Sequence, residues 1–272
     1  MQYKFTLIIF CTLLLSASTG TFKSENKEIT KYYVHVPAKD ADRKGFYISS
    51  IEITNKQYRN FLNDLKVKGE TDELRRTMVD TSKWKGVLTY NEPYIQKYFQ
   101  NPAYDSYPVV NISKEGAFLY CEWLTEKYNS SAKVKVHFVL PSEEQWIRAA
   151  QGGDTLAVYP WKGTSLTYDQ KGKWHGNNMC NYKVQKAIYP GVNNKTADIT
   201  APAISYLPNA YGIYNMAGNV AELLSDKNYT KGGSWNSPAD KLTIASKEEY
   251  AAVPNYKPYV GFRPVMLTSD GK

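Results

Sequence analysis

The chain has 272 residues, of which 42% are hydrophobic and 22% charged, values close to globular averages that exclude a disordered tail and a fibre. Lysine and arginine outnumber the acidic residues by 34 to 26, but no basic block stands out, so the net charge of +8 is typical of a lysine-rich surface, and we expect no nucleic-acid partner. Only three cysteines and three histidines occur, which excludes a disulfide scaffold and a thiolate zinc cluster.

The first twenty residues have the pattern of an export signal. Lys4 supplies a positive charge, residues 5–15 form an almost unbroken apolar run, and small residues follow as far as Gly20. The run of about eleven residues is too short for a bilayer, which requires roughly twenty. Cys11 lies inside this run, so it does not fit a lipobox. We therefore expect residues 1–20 to be a signal peptide, no transmembrane segment, and a protein exported to the periplasm or cell surface.

Alternating apolar and polar residues predict a first strand at 32–36, and residues 21–45 comprise a polar leader and this strand. Further strand-like patterns occur at 45–48 and 51–53. Thr54 and Asn55 offer an N-cap for a helix that extends through Leu65. Residues 66–105 are polar and weakly periodic, so we expect irregular structure there.

From residue 113 onwards, the sequence predicts two more helices and a strand. Ser113 predicts the start of one helix, residues 134–140 predict a short strand, and Ser142 with Gln145 forms a capping box for the next helix. The rest of the chain is rich in Gly, Asn, Pro and Tyr, without a linker or a repeat. These features predict one domain at 46–268, of α+β class with much irregular structure.

Nine segments in order resemble one known family. They are residues 47–48, 52–58 (EITNKQY), 107–113 (YPVVNIS), 120–124 (YCEWL), 140–146 (LPSEEQW), 159–161 (YPW), 209–222 (NAYGIYNMAGNVAE), 231–235 (KGGSW) and 260–263 (VGFR). Together they resemble the formylglycine-generating enzymes, also called sulfatase-modifying factors, over roughly residues 46–266. The resemblance implies the family's fold, a C-type-lectin-like α+β variant with little regular secondary structure.

The resemblance implies a chemistry for which this chain lacks the residues. Members of the family oxidise a sulfatase cysteine to formylglycine with copper held by two thiolates, which lie between the motifs matching 231–235 and 260–263. Here the interval 236–260 contains no cysteine, and the two positions fall near Ala239 and Ile244. We therefore expect no copper. Some members pair the helix cysteine matching Cys121 with a cysteine at the position of Pro264, so that partner is also lost. A Cys121–Cys180 disulfide and a buried free Cys121 both remain open.

A calcium-type pattern is retained according to the same resemblance. The implied Ca²⁺ ligands are the side chains of Asn215 and Glu222 with the carbonyls of Gly218 and Val220. Alternatively, Asn215 and Asn219 stabilise a turn while Glu222 caps or pairs. A second implied set, in a shortened segment, consists of Asn181, Asp198 and the carbonyls of Tyr182 and Thr200.

These observations lead to one functional hypothesis and two alternatives. The first is an exported, non-catalytic binding or structural module of the cell envelope, a pseudoenzyme whose partner is an envelope protein or a glycan. It resembles cysteine-less members among gliding-motility and secretion-associated envelope proteins. The alternatives are an oxidoreductase of the formylglycine-generating type with altered active-site chemistry, and a calcium-dependent lectin-like binder.

Overall fold

The computed structural model describes residues 26–40, 43–184, 197–250 and 255–268. The expected signal peptide at 1–20 lies outside these residues. Within the described part of the chain, none of the helices combines the length and the apolar character that crossing a bilayer requires.

A four-stranded antiparallel sheet forms the centre of the fold. The described residues form eight strands in all, four of them in this sheet and four in two smaller pairs. They are β1 (Tyr33–Val36), β2 (Phe46–Ser49), β3 (Val136–Val139), β4 (Ala221–Glu222), β5 (Tyr229–Thr230), β6 (Glu248–Glu249), β7 (Val260–Gly261) and β8 (Val265–Thr268). The central sheet has the order β1-β2-β8-β3, while β4 pairs with β7 and β5 with β6. Met266 of β8 lies opposite Tyr47 on one side and Phe138 on the other. The C-terminal strand therefore joins the first half of the chain to the middle.

Four of the helices in the described chain pack around this sheet, and three of them begin at a residue whose side chain caps the first turn. They are α1 (Asn55–Lys68), α2 (Thr71–Thr77), α3 (Lys114–Asn129) and α4 (Glu143–Gln151). Thr54 caps α1 and Ser142 caps α4, each in a capping box with the glutamine three residues later. The capping box at Ser142 was predicted, whereas at Thr54 the sequence predicted only an N-cap. Ser113 caps α3, where its hydroxyl accepts a hydrogen bond from the Gly116 amide at 2.9 Å. The three helix starts that the sequence predicted are therefore confirmed.

Two parts of the prediction differ from the structure. Residues 66–105 are not simply irregular, since they contain α2 and short helical turns at Thr81–Trp84, Tyr94–Tyr98 and Pro102–Tyr104. Such elements are too short to show a helical period in the sequence. Residues 51–53 do not form a strand, because the backbone of Ile53 bonds instead to Phe262 and Val109 in neighbouring loops.

The two faces of the sheet carry separate parts of the core. Phe138 and Met266 pack with residues of α1 and α3 on one face. Ile48 and Val265 pack with Trp146 of α4 on the other. Because side chains alternate along a strand, neighbouring residues of β8 reach opposite clusters. This arrangement positions the end of β2 and the start of β8 beside the turn that follows residue 214.

Candidate functional site

The turn at 215–219, which contains two residues of the first implied ligand set, has an unusual backbone. Asn215, Gly218 and Asn219 all have left-handed conformations, with φ of 53°, 74° and 63°. Asparagine and glycine are the residues that tolerate this region. The Asn219 amide donates to the carbonyl of Asn181 at 2.7 Å, and a methyl group on Gly218 would overlap that same carbonyl. The turn therefore packs directly against the segment of the second implied set.

Glu52 lies under this turn with no measurable exposure. Its two carboxylate oxygens accept hydrogen bonds from the side-chain amides of Asn215, at 3.1 Å, and Asn219, at 2.9 Å. The pKa of Glu52 is raised from 4.5 to about 7, chiefly because the carboxyl is buried; Arg263 and the two amides lower the pKa, and the nearby Glu222 raises it. The charge of Glu52 therefore changes near neutral pH.

Glu222 forms a buried ion pair with Arg263. The Nε of Arg263 lies 2.9 and 2.8 Å from the two carboxylate oxygens of Glu222, and Nη2 lies 2.7 Å from Oε1. The indole Nε1 of Trp146 donates to Oε2 at 2.8 Å. Arg263 also donates to the carbonyls of Ser49 and Tyr214 at 3.0 and 2.9 Å. Glu222 is thus a pairing residue that joins the sheet, α4 and the turn.

The first implied calcium set does not fit this geometry. Both oxygens of Glu222 already face cationic or N–H donors, and a calcium ion beside them would also face the guanidinium of Arg263. The side-chain amide of Asn215 is used to bond Glu52 and the carbonyl of Ala203. Calcium requires six or more oxygens free to turn towards it. The turn is therefore held by protein contacts, in agreement with the alternative in which Glu222 pairs.

The second implied set has one feature that fits a cation. The Oδ1 atom of Asn181 is buried without a hydrogen-bond partner among the described residues, while its Nδ2 donates to the carbonyl of Ile199 at 2.7 Å. Buried polar atoms are normally paired, so an orphaned oxygen indicates a missing donor or cation. Thr200 bonds the Tyr98 hydroxyl at 2.8 Å through its side chain, and Asp198 is exposed. The carbonyl of Tyr182 accepts from the Val184 amide at 3.0 Å.

The interval that matches the family's copper site has a different chemistry. Ala239 lies in a short helical turn, Ala239–Lys241, and Ile244 is buried in the core. Ser237 is the polar centre of this region: its hydroxyl donates to Glu248 at 2.9 Å and lies 2.9 Å from the Ser234 hydroxyl. Across the described ranges, no group of three or more His, Cys, Asp or Glu side chains is placed to hold a metal ion.

Cys121 and Cys180 are both buried and free in the described part of the chain. Cys121 packs in the cluster formed by α1 and α3, whereas Cys180 packs with Tyr182 and Leu242. Burial raises the pKa of both thiols well above the usual range, with a smaller contribution from Glu122 at Cys121. Since the thiolate is the reactive form, neither cysteine has the character of a nucleophile or a copper ligand.

Three residues of the buried network were not among the predicted site residues: Glu52, Trp146 and Arg263. Only Glu52 has a signal in the local sequence, because it is a single charge between two isoleucines. A buried carboxylate needs partners, but they lie more than 160 residues away along the chain. Arg263 reaches Glu222 across 41 residues.

Comparison with known proteins agrees with the resemblance. The family model described as "Sulfatase-modifying factor enzyme 1-like domain" matches residues 12–267. The "Inactive C-alpha-formylglycine-generating enzyme 2" of Bos taurus is 27% identical over 75% of this chain and 70% of that protein. The "Formylglycine-generating enzyme" of Thermomonospora curvata is 33% identical over 50% of this chain, which spans only 39% of that relative.

Solved structures support the fold. PvdO from Pseudomonas aeruginosa superimposes with a TM-score of 0.57 at 18% identity, covering 87% of this chain and 90% of that chain. At this level of identity the likeness shows the fold alone. The family model, in contrast, covers most of the sequence. The chain therefore belongs to the sulfatase-modifying factor family, and its α+β fold is the one that the sequence predicted.

Proposed function

We propose that this protein is a non-catalytic member of the family that acts as a binding or structural module. One observation carries the proposal: the interval 236–260, where the family keeps its thiolate pair, contains no cysteine. The remaining thiols, Cys121 and Cys180, are buried in separate clusters and cannot supply the pair without unfolding. The relative from Bos taurus, named an inactive enzyme, supports the same interpretation.

A direct assay tests the missing activity. The purified protein is incubated with copper, oxygen and a peptide that carries the sulfatase cysteine motif, and the peptide is analysed by mass spectrometry. The formylglycine-generating enzyme of Thermomonospora curvata serves as the positive control under the same conditions. We expect formylglycine from the control alone. Any copper-dependent formylglycine above the level without protein would refute the proposal.

The proposal includes export to the cell envelope, where the partner would be an envelope protein or a glycan. Its support is the pattern of residues 1–20, a positive charge followed by a short apolar run and small residues. Expression of the full chain in its own cells, followed by fractionation and N-terminal sequencing, tests this part. We expect a mature chain in the exported fraction that begins at Thr19 or Thr21. An intact N-terminus in the cytoplasm would contradict export.

The proposal also includes a calcium ion bound by the second implied ligand set. The support for this ion is the Oδ1 atom of Asn181, which is buried without a hydrogen-bond partner among the described residues. The ion would be held by Asn181 Oδ1, the carboxylate of Asp198 and the carbonyls of Tyr182 and Thr200, with water molecules completing the six or more oxygens that calcium requires. Bound there, calcium would supply a structural cross-link between two segments that are separated along the chain. It would not take part in a reaction.

A further inference from the structure

A hairpin formed by residues 166–179 ends in a fully exposed tip. The six consecutive residues 171–176 (KGKWHG) are all exposed to solvent. A methyl group placed on Gly172 or Gly176 would meet no heavy atom within 4 Å beyond the neighbours along the chain. The described part of the structure therefore leaves this end of the hairpin uncovered. We refer to residues 171–176 as the hairpin tip.

Backbone hydrogen bonds hold the hairpin tip on the body of the protein. The amide of Gly176 donates to the carbonyl of Tyr168 at 2.8 Å. The amide of Asn177 donates to the carbonyl of Trp174 at 2.9 Å and closes a turn within the tip. At the base of the first arm, Leu166 packs against a buried cluster of the core. The tip is therefore a hydrogen-bonded turn that is anchored to the core.

The hairpin tip exposes an indole beside two lysines. Trp174 is 42% exposed, although tryptophan is highly buried on average. Lys173 lies over its ring, with Nζ 5.3 Å from the ring centroid, and Lys171 lies two residues earlier in the chain. Neither ammonium group pairs with a carboxylate of a described residue. Asp169, the nearest acidic residue along the chain, accepts hydrogen bonds from two hydroxyl groups instead.

This combination of side chains matches the surface of an anionic bilayer. Tryptophan is enriched where a membrane meets water, because its ring is apolar and its N–H group is polar. A lysine close to an anionic leaflet strengthens binding about fivefold. The two kinds of contribution add at the hairpin tip, where Trp174 lies between exposed polar and basic residues.

A bilayer fits the shape of the hairpin tip better than a protein partner does. A stable protein interface buries roughly 1,000 Å² or more and has an apolar centre of several side chains. The tip offers one large apolar side chain on six projecting residues. A bilayer surface is deformable and accommodates a single indole without a complementary groove.

We propose that the hairpin tip attaches the protein peripherally to the surface of an anionic phospholipid bilayer. The indole of Trp174 enters the headgroup region, and the ammonium groups of Lys171 and Lys173 lie at the level of the phosphates. This attachment goes beyond the proposed function. Export determines which membrane the protein meets, whereas binding to vesicles does not depend on export, so the two proposals can fail separately.

Sedimentation with vesicles tests the attachment. The chain that begins after Gly20 is used, because the apolar run at 5–15 would itself bind lipid. Vesicles of phosphatidylcholine alone are compared with vesicles that also contain phosphatidylglycerol. We expect binding to the anionic vesicles to be at least about tenfold tighter and to weaken as salt is added. Absence of binding to the anionic vesicles, or equal affinity for both kinds, overturns the proposal.

Two charge-matched double variants locate the contact. Lys171→Gln with Lys173→Gln should weaken binding to the anionic vesicles about 25-fold, since each lysine contributes about fivefold. Lys66→Gln with Lys133→Gln removes the same charge from two exposed lysines outside the hairpin and should leave the affinity nearly unchanged. Equal weakening by the two double variants would show that the net charge of +8 alone attracts the protein, and would overturn the proposal.

Replacement of the indole tests the second contribution. Trp174→Ala should weaken binding about fivefold, because less apolar surface enters the headgroup region. Tyr90→Ala, which removes an aromatic side chain that is 68% exposed, should change nothing. Lipids with brominated acyl chains should quench the emission of the parent protein more than that of Trp174→Ala, and the melting temperature shows that each variant is folded. Unchanged affinity and equal quenching in Trp174→Ala would overturn the proposal.

Discussion

Arg263 holds both carboxylate oxygens of Glu222 at 2.7 to 2.9 Å, and neither side chain is more than 1% exposed. A buried ion pair contributes little net stability compared with apolar residues in its place. Removing one partner is costly, because the other charge then remains buried without compensation. Glu222, which the family resemblance implied to be a metal ligand, is therefore part of an internal salt bridge.

The first prediction concerns the ion pair itself. Glu222→Gln and Arg263→Met should each lower the free energy of unfolding by about 3–5 kcal/mol, because each leaves a buried charge without its partner. The double variant should lose clearly less than the sum of the two. Urea unfolding of the four proteins measures the coupling. Additive losses would show that the two side chains act independently.

The second prediction concerns Glu52 and pH. Its pKa is raised from 4.5 to about 7 in the folded protein, so between these values the folded state binds a proton that the unfolded state has lost. The contribution of Glu52 to stability is therefore greatest below pH 4.5, falls as the pH rises towards 7, and is constant above it. The total decrease is roughly 3 kcal/mol.

Urea unfolding between pH 4.5 and 8 measures this decrease in the parent protein and in Glu52→Gln, which cannot ionise. The stability difference between the two proteins should shift by this amount in favour of the glutamine variant as the pH rises. Glu126→Gln, which alters an exposed glutamate, is the matched control and should follow the parent. Parallel profiles for the parent and Glu52→Gln would show that Glu52 titrates normally.

The third prediction uses two glycines with nearly identical backbone angles. Gly218 and Gly86 have φ of 74° and 75°, but a methyl group on Gly218 would overlap the carbonyl of Asn181, whereas one on Gly86 meets no atom within 4 Å. Gly86→Ala should cost about 1–2 kcal/mol from the backbone alone. Gly218→Ala should cost roughly 2 kcal/mol more, since two backbone segments must separate. Equal losses by chemical denaturation would contradict the close packing.

The fourth prediction separates the two implied calcium sets. Millimolar calcium should raise the melting temperature by several degrees relative to excess chelator, because a ligand bound only to the folded state stabilises it. Asn181→Ala should abolish the rise. Glu222→Gln should melt lower but keep the same rise, since its carboxylate is bonded to Arg263. Loss of the calcium effect in Glu222→Gln alone would restore the first set.

The fifth prediction concerns the thiols. A chain that starts after Gly20 lacks Cys11 and contains only Cys121 and Cys180. A chromogenic thiol reagent should react with these two cysteines only slowly in native buffer, because both are buried and burial raises the pKa of each thiol. In denaturant without reductant, both should react at once. Failure to react in denaturant would show that the two cysteines are bridged.

The helix starts and the family were readable from the sequence because their determinants are local. Thr54, Ser113 and Ser142 each bond a backbone amide three residues away, so the pattern within a few residues is sufficient. The motif order from residue 47 to residue 263 indicated the family, and the missing cysteines at 236–260 are visible without coordinates. The same sequence contained no periodic signal for α2, whose seven residues depend on packing against α1 and α3.

Only the tertiary structure decided what the polar residues of the turn do. The family resemblance placed Asn215 and Glu222 in a calcium-type pattern, but the fold brings Glu52, which follows β2, and Arg263, which precedes β8, to the same place. The insertion of β8 between β2 and β3 produces this meeting. A carboxylate is a metal ligand or an ion-pair partner according to which charge lies beside it, and that neighbour comes from a distant part of the chain.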